Sequence, residues 1–216
     1  MKHLLITLLC LFPMWVQAQS EKEIRQAMDA FDYEIPINRI APASGDSVLT
    51  PFRAQALKAM NRPAEALKEW NSLLSPDSTN VKVLAELAEG YRQINRNDLS
   101  SRCYAKVVAL NPENKFFRQQ HIRSLLALEN YEAARDPSLD WLKEDTPLVA
   151  GYKFLGMAYE GLASRNPDAL MDAFDAYNRA YRLDSLDGQT VAHLASIFNG
   201  NEQFADAINI TELYRQ

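Results

Sequence analysis

The sequence has few of the residues that build disulfide-bonded, metal-binding or catalytic sites. Its 216 residues include two cysteines, three histidines and seven glycines. Cys10 lies inside an apolar leader, so Cys103 has no intramolecular disulfide partner once the leader is removed. The chain has no Gly-rich phosphate loop and no G-x-S-x-G or H-E-x-x-H motif. Folding must therefore rely on apolar burial, and a loop-built active site is not expected.

The remaining candidates for metal or acid–base chemistry are isolated from one another. His121 and His193 stand 72 positions apart, and neither has a second ligand three or four residues away. We expect His121 in the core and His193 near the inner face of the fold, and we interpret Cys103 as a half-buried, unreactive thiol. The sequence thus predicts no metal, no cofactor and no enzymatic activity.

An excess of positive charge and a second long apolar run are also missing. Lys and Arg total 23 against 28 Asp and Glu, which gives a net charge of −5, and no basic cluster interrupts this mild acidity. A nucleic-acid partner is therefore not expected. Beyond the leader, no stretch approaches the roughly 20 apolar residues of a spanning helix, so the mature chain has no predicted transmembrane segment.

Residues 1–18 have the pattern of a signal peptide. A short basic start precedes the apolar stretch 4–16, and Ala18 ends a small-residue motif after which cleavage is predicted. A retained membrane anchor is the first alternative, but the stretch is too short to span. A lipoprotein on Cys10 is the second, but two leucines precede that cysteine. We predict an exported protein, periplasmic or associated with the cell envelope of a Gram-negative bacterium.

What the sequence does contain is a repeat of 34 residues. The block 81–114 has large, small and aromatic residues at its positions 7, 8, 11, 20, 24, 27 and 32: Leu87, Ala88, Tyr91, Ser100, Tyr104, Val107 and Pro112. This spacing resembles that of the tetratricopeptide repeat (TPR), in which two helices, A and B, form each unit. The pattern recurs in units near 47–80, 81–114, 115–148, 149–187 and 188–216.

The resemblance implies an all-α fold, a right-handed α-solenoid of about five helix-turn-helix units spanning 47–216. Small residues let helices A and B approach closely, and stacking of successive units supplies the core. Residues 19–46 are predicted to form a degenerate N-terminal helical cap. Pro137 predicts a kink or a late start in its helix, and additional residues around 163–169 predict a longer helix from about Pro167 to Leu183.

The resemblance also implies a partner-binding groove lined by the A helices. TPR arrays present positions 2, 5, 9, 12 and 13 of these helices to a ligand. Here these positions and their border include Lys58, Lys82, Arg92, Phe116, Gln119, Arg123, Lys153, Phe154 and Met157. Cations beside apolar side chains favour an acidic or amphipathic protein segment, and the alternative is an ordinary solvated surface. The Lys–Asn clamp of chaperone-binding TPR proteins is absent.

Three loops between units carry an Asp-Ser dipeptide, which places serines at Ser47, Ser78 and Ser185. The dipeptide resembles a short O-glycosylation sequon of some Gram-negative periplasmic proteins. The alternative is turn and helix-cap chemistry, for which Asp and Ser are also favoured.

Together these patterns predict a non-catalytic scaffold or adaptor of the periplasm or cell envelope that binds a protein segment. One alternative is the N-terminal part of a longer array, or an accessory subunit of an envelope complex. Another is a carbohydrate- or envelope-binding module. The last is disfavoured because four aromatic residues occupy core positions of the repeat and are not available as exposed platforms: Trp70, Tyr91, Tyr104 and Tyr177.

Overall fold

A computed structural model describes residues 20–75, 79–143 and 148–215 of the chain. The predicted signal peptide (1–18) and Ser78 lie outside these ranges. The described residues form twelve helices and no β-strand. The helices are α1 (20–29), α2 (Glu34–Arg39), α3 (Thr50–Ala59), α4 (Pro63–Ser72), α5 (Val81–Gln93), α6 (Asn97–Leu110), α7 (Lys115–Ala127), α8 (Tyr131–Leu142), α9 (Val149–Leu162), α10 (Ala169–Leu183), α11 (Gly188–Gly200) and α12 (Phe204–Arg215).

Contacts between the helices divide the chain into two compact units. The N-terminal unit ends at Asn111 and contains α1–α6, and the C-terminal unit begins at Pro112 and contains α7–α12. Within them the pairs α3–α4, α5–α6, α7–α8, α9–α10 and α11–α12 pack against each other. We call the first helix of each of these pairs its A helix and the second its B helix. The prediction of an all-α fold made of helix pairs is confirmed, and the exact repeat boundaries stay a prediction.

One type of turn joins most of these pairs. After α3, Asn61 has a left-handed φ of 56°, and the amide of Arg62 donates to the carbonyl of Leu57 at 2.9 Å. This is a Schellman motif, in which the last helical carbonyls are satisfied while the chain reverses direction. The same turn follows α1, α5, α7 and α11, centred on Phe31, Asn95, Glu129 and Glu202. The recurring turn therefore reverses the direction of the chain, so that the B helix runs back alongside its A helix.

The turn at Phe31 makes residues 20–39 a helix pair of their own. The aromatic ring itself is 75% exposed. The pair buries Ile24 and Ala27 from α1 and Ile37 from α2. Ile37 packs in a core cluster with Leu57 of α3, so the N-terminal segment covers one side of the first predicted repeat.

Two helices differ from their sequence predictions. Helix α8 begins at Tyr131 and continues through Pro137, so the expectation of a late start is wrong. Pro137 removes the backbone donor to the carbonyl of Ala133, and the hydroxyl of Ser138 donates to the following carbonyl, that of Ala134, at 2.8 Å. Helix α10 ends at Leu183 as predicted and, with 15 residues, is the longest helix of the described residues, but it begins at Ala169 and not at Pro167, because residues 166–168 form a turn before it.

Each unit has its apolar core between its helices. In the N-terminal unit the core includes Ala54, Leu57, Leu67, Trp70, Val83 and Leu87. In the C-terminal unit it forms two clusters, which include Ile122, Leu126, Trp141 and Phe154, and Tyr177, Val191, Leu194 and Ile210.

Candidate functional site

The described residues contain no cluster of three or more His, Cys, Asp and Glu side chains that could hold a metal ion. Burial raises the pKa of the half-buried Cys103 thiol and lowers the pKa of His121. Both groups are therefore uncharged at neutral pH, which makes Cys103 a poor nucleophile. None of the helices within the described ranges has the length and apolar character needed to cross a bilayer.

Most of the predicted groove cations of the N-terminal unit are neutralised by nearby carboxylates. Lys58 of α3 donates to Glu86 of α5 at 2.8 Å. Arg92 forms two hydrogen bonds with Glu89, one turn earlier on α5, at 2.6 and 2.9 Å. Lys82 is exposed at a cleft of about 420 Å³ between α4 and α5, and it has no salt-bridge partner among the described residues. Lys82 is thus the predicted cation of this unit that is free to meet a ligand.

In the C-terminal unit, three predicted groove residues lie on one face of α7. Phe116, Gln119 and Arg123 are separated by three and four positions, which brings their side chains together on the helix surface. Phe116 is 59% exposed, and its ring packs edge-on against the ring of Phe117, with the ring centroids 5.6 Å apart. Arg123 is exposed and has no salt-bridge partner within the described part of the chain. We call these three residues the α7 stripe.

The three predicted groove residues of α9 are largely used by the fold itself. Lys153 is only 14% exposed and contacts both carboxylate oxygens of Asp187, at 3.0 and 3.2 Å. Phe154 is 5% exposed and packs on Trp141, with ring centroids 6.3 Å apart. Met157 is half-buried between the two apolar clusters of this unit. The structure corrects the prediction for Phe154, because the packing of α8 on α9 turns its ring into the core.

A polar cluster that the sequence analysis missed joins α9, α10 and α11. The hydroxyl of Tyr177 donates to Glu160 Oε2 at 2.7 Å, and His193 Nδ1 lies 2.8 Å from the same oxygen. The Tyr177 and His193 rings stack with centroids 4.7 Å apart and planes 8° from parallel. We call these residues the Glu160 cluster.

The repeat pattern contained a signal for this cluster. Glu160 and His193 occupy position 12 of one A helix and position 6 of the next in the repeat numbering. Lys58 and Glu86, which form an ion pair, occupy the same two positions in the N-terminal unit. A glutamate paired with a lysine or a histidine at these positions therefore indicates a contact between successive A helices.

The hydrogen bond from His193, supported by that from Tyr177, holds the pKa of Glu160 below its usual value. Burial and the hydrogen bond to Glu160 raise the pKa of Tyr177 far above its ordinary value, so its phenol stays protonated. The cluster thus presents one carboxylate held by two neighbouring rings.

We predict that Glu160→Gln lowers the stability of the protein at neutral pH by about 1 kcal/mol, since the carboxylate is partly exposed and its hydrogen bonds are screened. The pKa of Glu160 is lower in the folded than in the unfolded chain, so its stabilisation is present above the unfolded pKa near 4.5. It is lost as the pH falls through the folded pKa. Urea unfolding at stepped pH measures this effect.

Glu212→Gln on the exposed surface of α12, outside the first turn of its helix, is the matched control. Wild type and Glu160→Gln should converge in stability at acid pH, whereas Glu212→Gln should follow wild type throughout. A Glu160→Gln variant that is as stable as wild type at neutral pH would contradict the role of the cluster.

The two serines with Asp-Ser dipeptides in the described ranges, Ser47 and Ser185, are exposed. Asp46 Oδ1 accepts the amide of Val48 at 2.7 Å, and Asp184 Oδ1 accepts that of Leu186 at 2.9 Å. Each aspartate therefore stabilises its own turn, and modification of the serines stays a prediction.

Comparison with known proteins identifies the fold. No protein-family model and no curated protein matches the chain. Among solved structures, MamA 41-end from Desulfovibrio magneticus RS-1 has a TM-score of 0.67 at 17% identity, covering 81% of this chain and 96% of that chain. A crystal structure of MamA has a TM-score of 0.63 at 16% identity, covering 74% and 90%. MamA has a TPR-type helical solenoid fold, so the predicted TPR-type fold is confirmed.

Proposed function

We propose that this protein is a non-catalytic scaffold that binds a segment of another protein with the exposed faces of its A helices. The observation that carries the proposal is the α7 stripe. An exposed aromatic ring and an arginine without a salt-bridge partner in the described residues lie on one helix face. Aromatic and arginine side chains are enriched among the residues that dominate protein–protein binding energy.

The stripe has the chemistry to bind an amphipathic segment with a carboxylate. Phe116 and Arg123 lie two helical turns apart, which corresponds to about 10 Å along the axis. The guanidinium can form two parallel hydrogen bonds with one carboxylate, and the exposed ring offers an apolar contact beside it. Gln119, between them, adds a donor and an acceptor. A segment of about three extended residues spans this distance.

We place this scaffold in the periplasm or at the cell envelope. The support is the sequence of residues 1–18, which has the basic start, apolar stretch and small-residue end of a signal peptide. The N-terminal residue of the native protein decides this part of the proposal. A native chain beginning at Gln19 supports export, and a chain that retains residues 1–18 contradicts cleavage.

Affinity capture from native envelope extract tests the binding face. The full chain is compared with Phe116→Ala and Arg123→Glu. We expect both variants to recover at least about tenfold less of the partner than wild type, because each removes a central contact. Arg102→Glu is the matched control, since this arginine is exposed on the B helix α6 and has no salt-bridge partner within the described ranges.

The outcome is interpreted only for variants whose helical circular dichroism equals that of wild type. Loss of one captured protein with both α7 variants, and its retention with Arg102→Glu, supports the proposal. Recovery of the same proteins by all four baits excludes the α7 stripe as the binding face.

A further inference from the structure

A cleft in the C-terminal unit has an apolar interior that the proposed scaffold function does not use. It lies between α10 and α11 and has a volume of about 440 Å³. Phe174 and Phe198 form part of its wall, and their rings pack edge-on with centroids 5.5 Å apart. Met171, also in the wall, is 65% exposed. We call this space the α10–α11 cleft; its size is typical of ligand-binding pockets.

The residues next to the wall of the α10–α11 cleft are acidic, and we call these acidic residues its rim. Asp168 lies in the wall itself, and Asp172 and Asp175 directly follow the wall residues Met171 and Phe174 on α10. Glu202 stands between two lining residues in the turn before α12, and Asp206 lies in the first turn of α12. All five carboxylates are exposed, and none forms a salt bridge within the described residues 148–215.

Carboxylates outnumber the cations nearby. Arg165 and Arg179 are the basic residues within four positions of the three aspartates, and the Arg179 guanidinium lies over the Tyr152 ring of α9, while between residues 197 and 213 the sequence has no basic residue. An excess of carboxylates around an apolar opening creates a local negative potential, which attracts cations and repels other anions. The cleft therefore selects for a positively charged occupant.

We propose that the α10–α11 cleft docks a basic segment of another protein, with a large apolar side chain in the cleft and Lys or Arg side chains against its rim. The apolar wall accounts for the first contact and the five carboxylates for the second. A second copy of this chain is a poorer occupant, because the sequence has no basic cluster of its own. An anionic lipid surface would be repelled by the rim.

This surface is chemically distinct from the α7 stripe. The stripe carries an unneutralised arginine and favours an acidic segment, whereas the cleft favours a basic one. A ligand with acidic residues should therefore bind the stripe, and one with basic residues should bind the cleft. An experiment can contradict either proposal without contradicting the other.

Fluorescence anisotropy with the full chain tests the docking proposal. The probe is a fluorescein-labelled peptide with two central leucines and lysines on both sides. One comparison peptide replaces the lysines by glutamates, and another replaces the leucines by serines. We expect saturable binding of the Lys-Leu probe and at least about tenfold weaker binding of both comparison peptides, because each lacks one of the two contacts.

Variants assign the binding to the cleft. Asp172→Asn/Asp175→Asn should weaken the probe about tenfold and reduce the salt dependence of binding, since two rim charges are lost. Met171→Ser should weaken binding of the probe severalfold, because it removes an apolar side chain from the wall of the cleft. These side chains are exposed, so the fold should tolerate the changes. Asp29→Asn/Asp32→Asn, exposed acids of the N-terminal unit, make the same change in net charge and should leave binding unaltered.

Four results would overturn the proposal. The first is absence of binding by the Lys-Leu probe. The second is equal binding of the serine peptide, which would indicate charge attraction alone. The third is equal weakening by the Asp29/Asp32 and Asp172/Asp175 variants, which would indicate attraction to the whole chain. Binding lost in Arg123→Glu but kept in Asp172→Asn/Asp175→Asn would also overturn it, by moving the site to the α7 stripe.

Discussion

Replacing Arg53 by methionine is expected to lower the free energy of unfolding by about 3–5 kcal/mol. Arg53 of α3 donates from Nε to Glu69 of α4 at 2.9 Å, and the two side chains are only 9% and 4% exposed. Its Nη1 also donates to the carbonyls of Ile37 and Ile40 at the end of α2. The second oxygen of Glu69 accepts the amide of Ala43 at 2.8 Å.

The magnitude follows from what the methionine variant leaves behind. Glu69 would remain buried without its cation, and the two carbonyls at the end of α2 would lose a donor. Arg53→Met/Glu69→Leu should recover much of the loss, because neither charge is then left unpaired. Urea unfolding followed by circular dichroism measures the stability, and hydrogen exchange of α1 and α2 should accelerate most in the single variant.

An exposed ion pair of the same unit is the control. Arg62 binds both carboxylate oxygens of Glu65, but these side chains are 39% and 46% exposed. Arg62→Met should therefore cost much less stability than Arg53→Met, because an exposed ion pair is screened by solvent. Similar losses for Arg53→Met and Arg62→Met would show that the buried pair does not hold the N-terminal segment in place.

Gly156→Ala is expected to destabilise the C-terminal unit even though alanine is the better helix former. A Cβ at Gly156 would lie 2.6 to 2.8 Å from three atoms of the Tyr177 ring, which is fully buried. Overpacking of this kind costs about 1–3 kcal/mol. Moving the ring would also disturb its stacking on His193 and its hydrogen bond to Glu160.

Gly200→Ala makes the same substitution at the end of α11, where a Cβ would meet nothing within 4 Å. There the higher helix propensity of alanine should leave stability unchanged or raise it by up to about 1 kcal/mol. The difference between the two variants in urea unfolding reports the contact with Tyr177. In a Tyr177→Leu background the cost of Gly156→Ala should shrink. Equal stabilities for Gly156→Ala and Gly200→Ala would contradict the close approach of α9 and α10.

The helix pairs and their buried faces could be predicted from the sequence because they depend on local periodicity. Leu87, Ala88 and Tyr104 are buried in the positions that the 34-residue pattern assigns to them. The same pattern placed Trp70, Tyr91 and Tyr177 in the core; Trp70 and Tyr177 are at most 2% exposed, whereas Tyr91 is only half-buried. Large apolar residues that recur at helical spacing lie on one face of their helix. The pattern therefore specifies which face is buried before any contact is known.

The candidate binding surface was predicted less well because exposure and charge pairing are decided by neighbouring helices. The sequence placed Lys153 and Phe154 with Arg123 in one groove. Packing of α9 instead pairs Lys153 with Asp187 and buries Phe154, and it leaves Arg123 exposed on α7. A repeat position identifies the side of the helix but does not identify the side chains that approach it.

The sequence alone determined that this protein is an array of TPR-type helix pairs, because periodic apolar faces and turn positions are properties of short segments. The tertiary structure decided which polar groups that array uses internally. Arg53 and Glu69 are 16 residues apart, and Lys153 and Asp187 are 34 apart. A salt bridge requires its charged atoms to come within about 4 Å of each other, and side chains this distant in sequence meet only through the packing of whole helices.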